Sequence, residues 1–317
     1  MGARMNMLPD RKITDPALFG KVGLLVGGDS AEREVSLNGG KAVLAGLRSG
    51  EIDTELFDGA AALFEAIRAG RVDRVFNLMH GPGGEDGAIQ GALQLMDIPV
   101  TGASLLGSAL SMDKVRSKWV WERQGIKTPP FVLLDEGKTL AGETIEEWGL
   151  PLFVKPAGLG SSIGISKVKD HNDLETAISL ARQYSDDVII EPEIRGDEYF
   201  AGILGELVLP LIRIETPREF YDYTAKYESD DTRYFCPCGL PEETERTLQS
   251  QSQKAFRALD CSGWGRVDFI MDEAGEAWFL EVNPTPGMTS HSLVPQAAEQ
   301  MGIDFDELVW RILESSL

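Results

Sequence analysis

A chain of 317 residues, 43% hydrophobic and 26% charged, is long enough for two or three domains with real cores. Fifty-one acidic against 30 basic side chains leave a formal net charge of −21, which excludes nucleic acid and anionic membrane as natural partners but not a nucleotide met by a few local lysines. No apolar run approaches membrane-spanning length, and three cysteines (Cys236, Cys238 and Cys261) argue against a disulfide framework and for a reducing cytoplasm.

Residues 1–20 lack an apolar signal core and read as a flexible extension. A buried strand is predicted over 21–27, followed by Gly27-Gly28 and a helix with Leu37, Gly40, Leu44 and Leu47 at helical spacing. Strand 52–58, helix 61–70, strand 74–80 and helix 87–96 continue the alternation. That order implies a parallel sheet with right-handed crossovers, an α/β domain over 21–102. Ligands of such sheets sit beyond the carboxyl ends of the strands, where the 27–30 and 80–86 loops lie.

A second segment, 103–194, carries one helix over 108–125, a Thr128-Pro129-Pro130 break, strands at 151–156, 162–168 and 188–194, and a helix at 174–184. From 195 to 317 the pattern turns α+β. Strands 198–205 and 206–215 suggest antiparallel pairing; a polar, aromatic loop (220–239), a helix (242–259), a hairpin and a terminal helix follow.

The hairpin Arg266–Asn283 is the most informative stretch. A turn centred between Ala274 and Gly275, of two or four residues, sets Asp268 opposite Glu281 and Arg266 opposite Asn283, all four on one face. Val267, Phe269, Trp278, Leu280 and Val282 would then face the core. Two carboxylates, an amide oxygen and a guanidinium in one patch suit Mg²⁺, a hard cation that takes one or two carboxylates plus nucleotide phosphates. A plain solvated acidic face is the alternative.

Other candidates read two ways. Gly158–Gly164, with Ser161 and Ser162, could present amides to an anion or be an ordinary mobile hairpin; it is neither a P-loop nor a dinucleotide fingerprint. Lys155 ends an apolar strand, where a lysine without a partner anion is unusual, whereas Lys114 at a helix start could simply be solvated. Glu32 either compensates a helix dipole or serves a ligand, and His80 is either structural or functional. The 221–227 stretch is a surface loop or a lid that closes on a nucleotide.

Taken together, GGDSAEREVSLNGG, HGPGGEDGAIQG, SMDKVRSK, VKPAGLGSSIGISKV, EFYDYTAKY and GWGRVDFI with FLEVNPTPGMTSHSLVPQAA resemble the D-alanine:D-alanine ligases of the ATP-grasp superfamily, in the family's order and from about Lys21 to the end. The resemblance implies an ATP-grasp fold with an N-terminal parallel-sheet domain, a central domain and a C-terminal, mainly antiparallel domain. It implies ATP and two Mg²⁺ ions as cofactors, with Mn²⁺ a possible substitute. D-alanine would be the substrate and a cytoplasmic homodimer the assembly, without nucleic acid or membrane partners. Residue by residue, it puts Lys114 and Lys155 at the phosphates under the flap with Ser161 and Ser162. It puts Glu191 at the adenine, Glu198 at the ribose and Lys226 near the γ-phosphate. Asp268, Glu281 and Asn283 would ligate metal, and Arg266 would hold the reacting carboxylate. Glu32 and His80 would meet the first D-alanine; Gly287, Ser292 and Leu293 the second. Ser161 and Tyr227 would link Glu32 to the lid. Pro192 departs from the lysine many relatives carry, and Tyr227 stands where some D-lactate-using relatives carry histidine. A D-alanine:D-lactate or other ATP-grasp carboxylate–amine ligase, a dinucleotide-dependent oxidoreductase and a non-catalytic nucleotide-binding module are the competing readings. The last would be expected to lose some of Arg266, Asp268, Glu281 and Asn283, and the oxidoreductase lacks its GxGxxG.

Overall fold

The computed structural model describes residues 9–134, 146–160, 162–218, 220–221, 231–289 and 291–317. Apolar strand β1 (Val22–Val26) is buried along its whole length and pairs in parallel with β2 (Thr54–Asp58) and β3 (Arg74–Asn77), in the order β2-β1-β3. Helices α1 (Arg33–Ser49), α2 (Ala60–Arg68) and α3 (Ala88–Leu95) complete the alternation that the sequence pattern implies.

The single helix expected over 108–125 is two. Helix α4 (Leu105–Met112) stops at Asp113, whose side chain accepts from Arg116 N and caps α5 (Lys114–Arg123). This capping places Lys114 at the first position of a helix, with its side chain turned inward. A four-stranded sheet follows, ordered β4 (Val132–Leu134), β7 (Val188–Pro192), β5 (Leu152–Pro156), β6 (Ser166–Val168), with α6 (Leu174–Ala181) packed on it.

The third sheet is antiparallel and carries the site. Strand β8 (Gly196–Leu204) pairs with β9 (Leu207–Val208), β10 (Ile212–Glu215) and β12 (Trp264–Asp272), and β12 pairs with β13 (Ala277–Asn283). Part of the segment expected to be loop, Arg233–Phe235, forms a further strand, β11, against β10. Helix α7 (Glu242–Ala258) covers one face through Leu248, Ala255 and Phe256. The terminal helix is a pair, α8 (Leu293–Gln300) and α9 (Phe305–Leu313).

Residues 11–19 depart from the expected flexible extension. Arg11 pairs with Glu307 and stacks 4.2 Å over Trp310, and Phe19 is fully buried edge-on to Trp310. A buried aromatic and a cation on an indole face tie this stretch down although it lacks an apolar signal core.

Candidate functional site

The hairpin has the expected pairs, Asp268 opposite Glu281 and Arg266 opposite Asn283, by a different route. Asp272 pairs with Glu276 across a three-residue loop, Glu273-Ala274-Gly275, rather than two or four. The half-residue offset is cancelled by a bulge, because the register shifts between Asp268 and Phe269 and Leu280 is the extra residue on β13. The bulge also decides which side chains are core. Val267, Phe269 and Val282 are buried as expected, but Ala277 and Phe279 take the inward places predicted for Trp278 and Leu280. Leu280 instead lines the cleft beside Ile270.

On the site face, Arg266 forks onto Asp268: Nε donates to Oδ1 and Nη2 to Oδ2, each at 2.7 Å. Its guanidinium lies 4.9 Å over the Phe200 ring. Lys114 Nζ donates to Leu159 O at 2.6 Å and lies 3.4 Å from Glu281 Oε2, so one buried ammonium joins the flap backbone to the hairpin.

Two cavities meet at that ammonium. The larger holds about 770 Å³ of empty space, solvent-open volume included, between the four-stranded and antiparallel sheets. Lys155, Glu191 and Ser162 line one wall; Glu198, Asp268, Ile270, Leu280 and Glu281 line the other. Ile270 and Leu280 offer apolar contact beside these charged groups. The smaller, about 430 Å³ on the same measure, is lined by Glu32, Glu85, Gly160, Arg266, Glu281 and Asn283 among others. Lys114 and Glu281 belong to both.

In the larger cavity, Glu191 is buried between Lys155 and Lys118, each 2.6 Å away. Burial alone would raise its carboxyl; the two ammonium groups bring it down to about 2. Burial lowers Lys118 to about 8 against the pull of Glu191. Ser162 Oγ donates to Tyr221 O at 3.1 Å.

Around the smaller cavity, Glu32 is buried at the entry to α1, where an added Cβ on Gly160 would lie 3.9 Å from its carboxylate. The flap and the first helix therefore meet there. His80 lines neither cavity and is buried near Glu32; its Nδ1–H donates to Leu78 O at 2.6 Å, and burial depresses the imidazole while the Glu32 charge opposes that. A neutral ring with Nδ1 protonated leaves an acceptor at Nε2, which is buried with no hydrogen-bond partner among the described residues. Asn283 Oδ1 accepts from Thr285 N.

Gly287, Ser292 and Leu293 line neither cavity. They cluster beyond the first turn of α1: an added Cβ on Gly287 would meet Ser292 Oγ at 3.0 Å and Val35 at 3.8 Å. Ser161, Lys226 and Tyr227 lie outside the described residues.

Two groups escape the sequence reading: Glu85, which lines the smaller cavity, and Lys118, which lies behind Glu191 and lines neither. Lys118 stands four residues after Lys114, on the same helix face, a spacing that could have drawn attention to it. Glu85 sits in the Gly-rich loop, accepts from Gly81 N at 2.5 Å, and is pushed well above the usual carboxylate range by burial and then by Glu32. No local pattern marks a carboxyl that only the fold buries.

Two sheets that flank one cleft, with inward lysines on one side and a carboxylate pair on the other, define the ATP-grasp class of ligases. Residues 53–103 match the family described as D-ala D-ala ligase N-terminus, and residues 120–314 the one described as D-ala D-ala ligase C-terminus. The chain is 50% identical over 311 residues to D-alanine--D-alanine ligase B of Xanthomonas campestris, covering 96% of this chain and 98% of that one. It is 52% identical over 296 residues to the D-alanine--D-alanine ligase of Dechloromonas aromatica, covering 93% and 97%. Among solved structures, a D-alanine--D-alanine ligase from Bacillus anthracis superimposes with a TM-score of 0.84 at 33% identity, covering 93% and 97%. A second structure of a Bacillus anthracis D-alanine--D-alanine ligase, complexed with ATP, gives 0.82 at 30%, with the same coverage. A D-Ala:D-Ser ligase from Enterococcus faecalis gives 0.83 at 32%, covering 94% and 99%. The chain belongs to the D-alanine–D-alanine ligase family.

Proposed function

We propose that the protein joins two D-alanine molecules into D-alanyl-D-alanine, a cell-wall precursor, with ATP as the activating substrate. The observation that carries this reading is the junction at Lys114 and Glu281. A cleft between two sheets and a small polar cavity share that pair of side chains, which supports placing a terminal phosphate in the first beside a carboxylate in the second. ATP takes the larger cavity, with its phosphates toward Lys114 and Lys155 and under the 158–164 flap, including Ser161 and Ser162. Glu191 receives the adenine and Glu198 the ribose. Lys226 completes the phosphate contacts.

The first D-alanine takes the smaller cavity. Its ammonium meets Glu32 and the bare acceptor His80 Nε2, and its carboxylate faces Arg266. A carboxylate oxygen attacks the γ-phosphorus, ADP leaves, and an acyl phosphate remains. The amine of the second D-alanine, held from the side of Gly287, Ser292 and Leu293 and relieved of its extra proton, attacks the carbonyl carbon. Arg266 stabilises the oxyanion that develops there, and phosphate departs. The hydrogen-bonded set of Glu32, Ser161 and Tyr227 would hold the flap over this step and exclude water.

Asp268, Glu281 and Asn283 present only hard oxygen donors. These donors fit a hard dication, which would have to displace the Lys114–Glu281 and Arg266–Asp268 pairing in part. They would hold two Mg²⁺ ions, or Mn²⁺ in their place, whose charge when bound neutralises the transferring phosphoryl group.

We also propose a homodimer working in the cytoplasm, where ATP is available. Exposed Leu95, Leu105 and Leu106 on the adjoining helices α3 and α4 give an apolar face that suits a second copy. No described helix is long and apolar enough to cross a membrane. The reading keeps the division into residues 1–20, 21–102, 103–194 and 195–317.

Incubation with D-alanine, ATP and Mg²⁺ should yield dipeptide and phosphate in equal amounts. In competition with D-serine or D-lactate, D-alanyl-D-alanine should remain the main product. A mainly D-seryl or D-lactyl product would transfer the protein to a related specificity, and no phosphate release at all would overturn the reading.

A further inference from the structure

Glu191 carries one negative charge and faces two lysines that are held very differently. The Lys118 side chain is 1% exposed; its ammonium donates to Thr128 Oγ1 at 2.7 Å and Pro129 O at 3.0 Å and forms an ion pair with Glu191 Oε1 at 2.6 Å. Thr128 Oγ1 in turn donates to Phe279 O at 2.8 Å, which ties this knot to β13. Lys118 has nowhere to go. The Lys155 side chain is 14% exposed and lines the larger cavity, and Glu191 Oε2 is its one hydrogen-bond partner among the described residues.

Two cations against one anion leave a surplus positive charge at the cavity wall, and Lys155 is the cation able to move. We propose that Lys118 is a positioning residue, a fixed counter-charge that keeps Glu191 paired and so releases Lys155 to a nucleotide phosphate. The proposal rests on the nucleotide reading above. Without Lys118, transfer of Lys155 to a phosphate would strand a carboxylate that is 2% exposed, a strongly unfavourable state. Lys155 would then stay pinned to Glu191. With Lys118 in place, the buried carboxylate is paired before, during and after nucleotide binding. The same pairing keeps Glu191 ionised as an acceptor for a purine amino group.

The test is the preference for ADP over adenosine, measured by calorimetry with Mg²⁺ present. The wild-type protein should bind ADP more tightly than adenosine. Lys118→Met should reduce that ratio roughly tenfold or more, the scale set by truncating one partner of a buried charge pair. The double variant Lys118→Met/Glu191→Gln should recover most of the ratio, because nothing then pins Lys155. Glu191→Gln alone should leave the ratio unchanged or raised, and it decides the matter should Lys118→Met fail to fold. Equal loss of adenosine and ADP affinity in Lys118→Met, no recovery in the double variant, or a fallen ratio in Glu191→Gln would each overturn the proposal. A wild-type protein that binds neither ligand would overturn the nucleotide reading with it, a result distinct from any change of ratio among the variants.

Discussion

Arg266 combines two jobs that a lysine could not share. Its fork clamps Asp268 through two hydrogen bonds, and it lines the cavity assigned to the first D-alanine. Arg266→Lys keeps the charge and loses the planar geometry. We expect kcat to fall about a hundredfold or more, the scale for losing one oxyanion donor. Steady-state kinetics check this, and an effect confined to the KM for D-alanine would make Arg266 a ground-state binder. Glu191 gives a pH prediction with a definite sign. Its folded-state value, about 2, lies below the ordinary 4.5, so its contribution to stability is complete above 4.5 and is lost as pH falls towards 2. The stability difference between wild type and Glu191→Gln, followed by denaturant unfolding at a series of pH values, should therefore shrink across that window. A difference independent of pH from 5 to 2 would contradict the lysine-paired carboxylate.

At the scale of elements, the hairpin shows what a sequence pattern can and cannot carry. Period-2 alternation and a glycine in the turn were enough to place Arg266, Asp268, Glu281 and Asn283 on one face. They could not reveal that a three-residue loop and a bulge at Leu280 jointly produce that register, because two compensating offsets leave the pairing unchanged. The side chains between the offsets expose the difference: Phe279, not Trp278 or Leu280, enters the core. Likewise, the α4–α5 break at Asp113 depends on one capping aspartate inside an otherwise helical run. Gly275 lies in the loop at φ +82° with nothing within 4 Å of an added Cβ, so a substitution there meets backbone strain and no clash. Gly275→Ala should cost about 1 kcal/mol in denaturant unfolding, with Gly275→Asn milder. Unchanged kcat is expected, since the strain stays at the hairpin tip; a large loss of kcat would mean that the loop controls the register of the site.

At the scale of the whole molecule, the site exists because three sheets converge. Lysines come from α5 and the four-stranded sheet, carboxylates from the antiparallel sheet, and Glu32 and His80 from the carboxyl ends of the parallel strands. The parallel strands share one core with Phe200 and Trp264 of the antiparallel sheet and with α8 and α9, which fixes the small cavity against the hairpin. Chain order made the class of the first and third sheets legible, but not the antiparallel pairing of the four-stranded one. It could not show that Lys118 backs Glu191 or that Glu85 lines the smaller cavity, since both owe their setting to burial by distant segments. The central claim is that a carboxylate in the small cavity is activated by the phosphate in the large one. D-alanine labelled with ¹⁸O in its carboxylate tests it directly. If an acyl phosphate forms, each turnover transfers one labelled oxygen to inorganic phosphate, which mass spectrometry detects. Dipeptide formed with unlabelled phosphate would contradict the account.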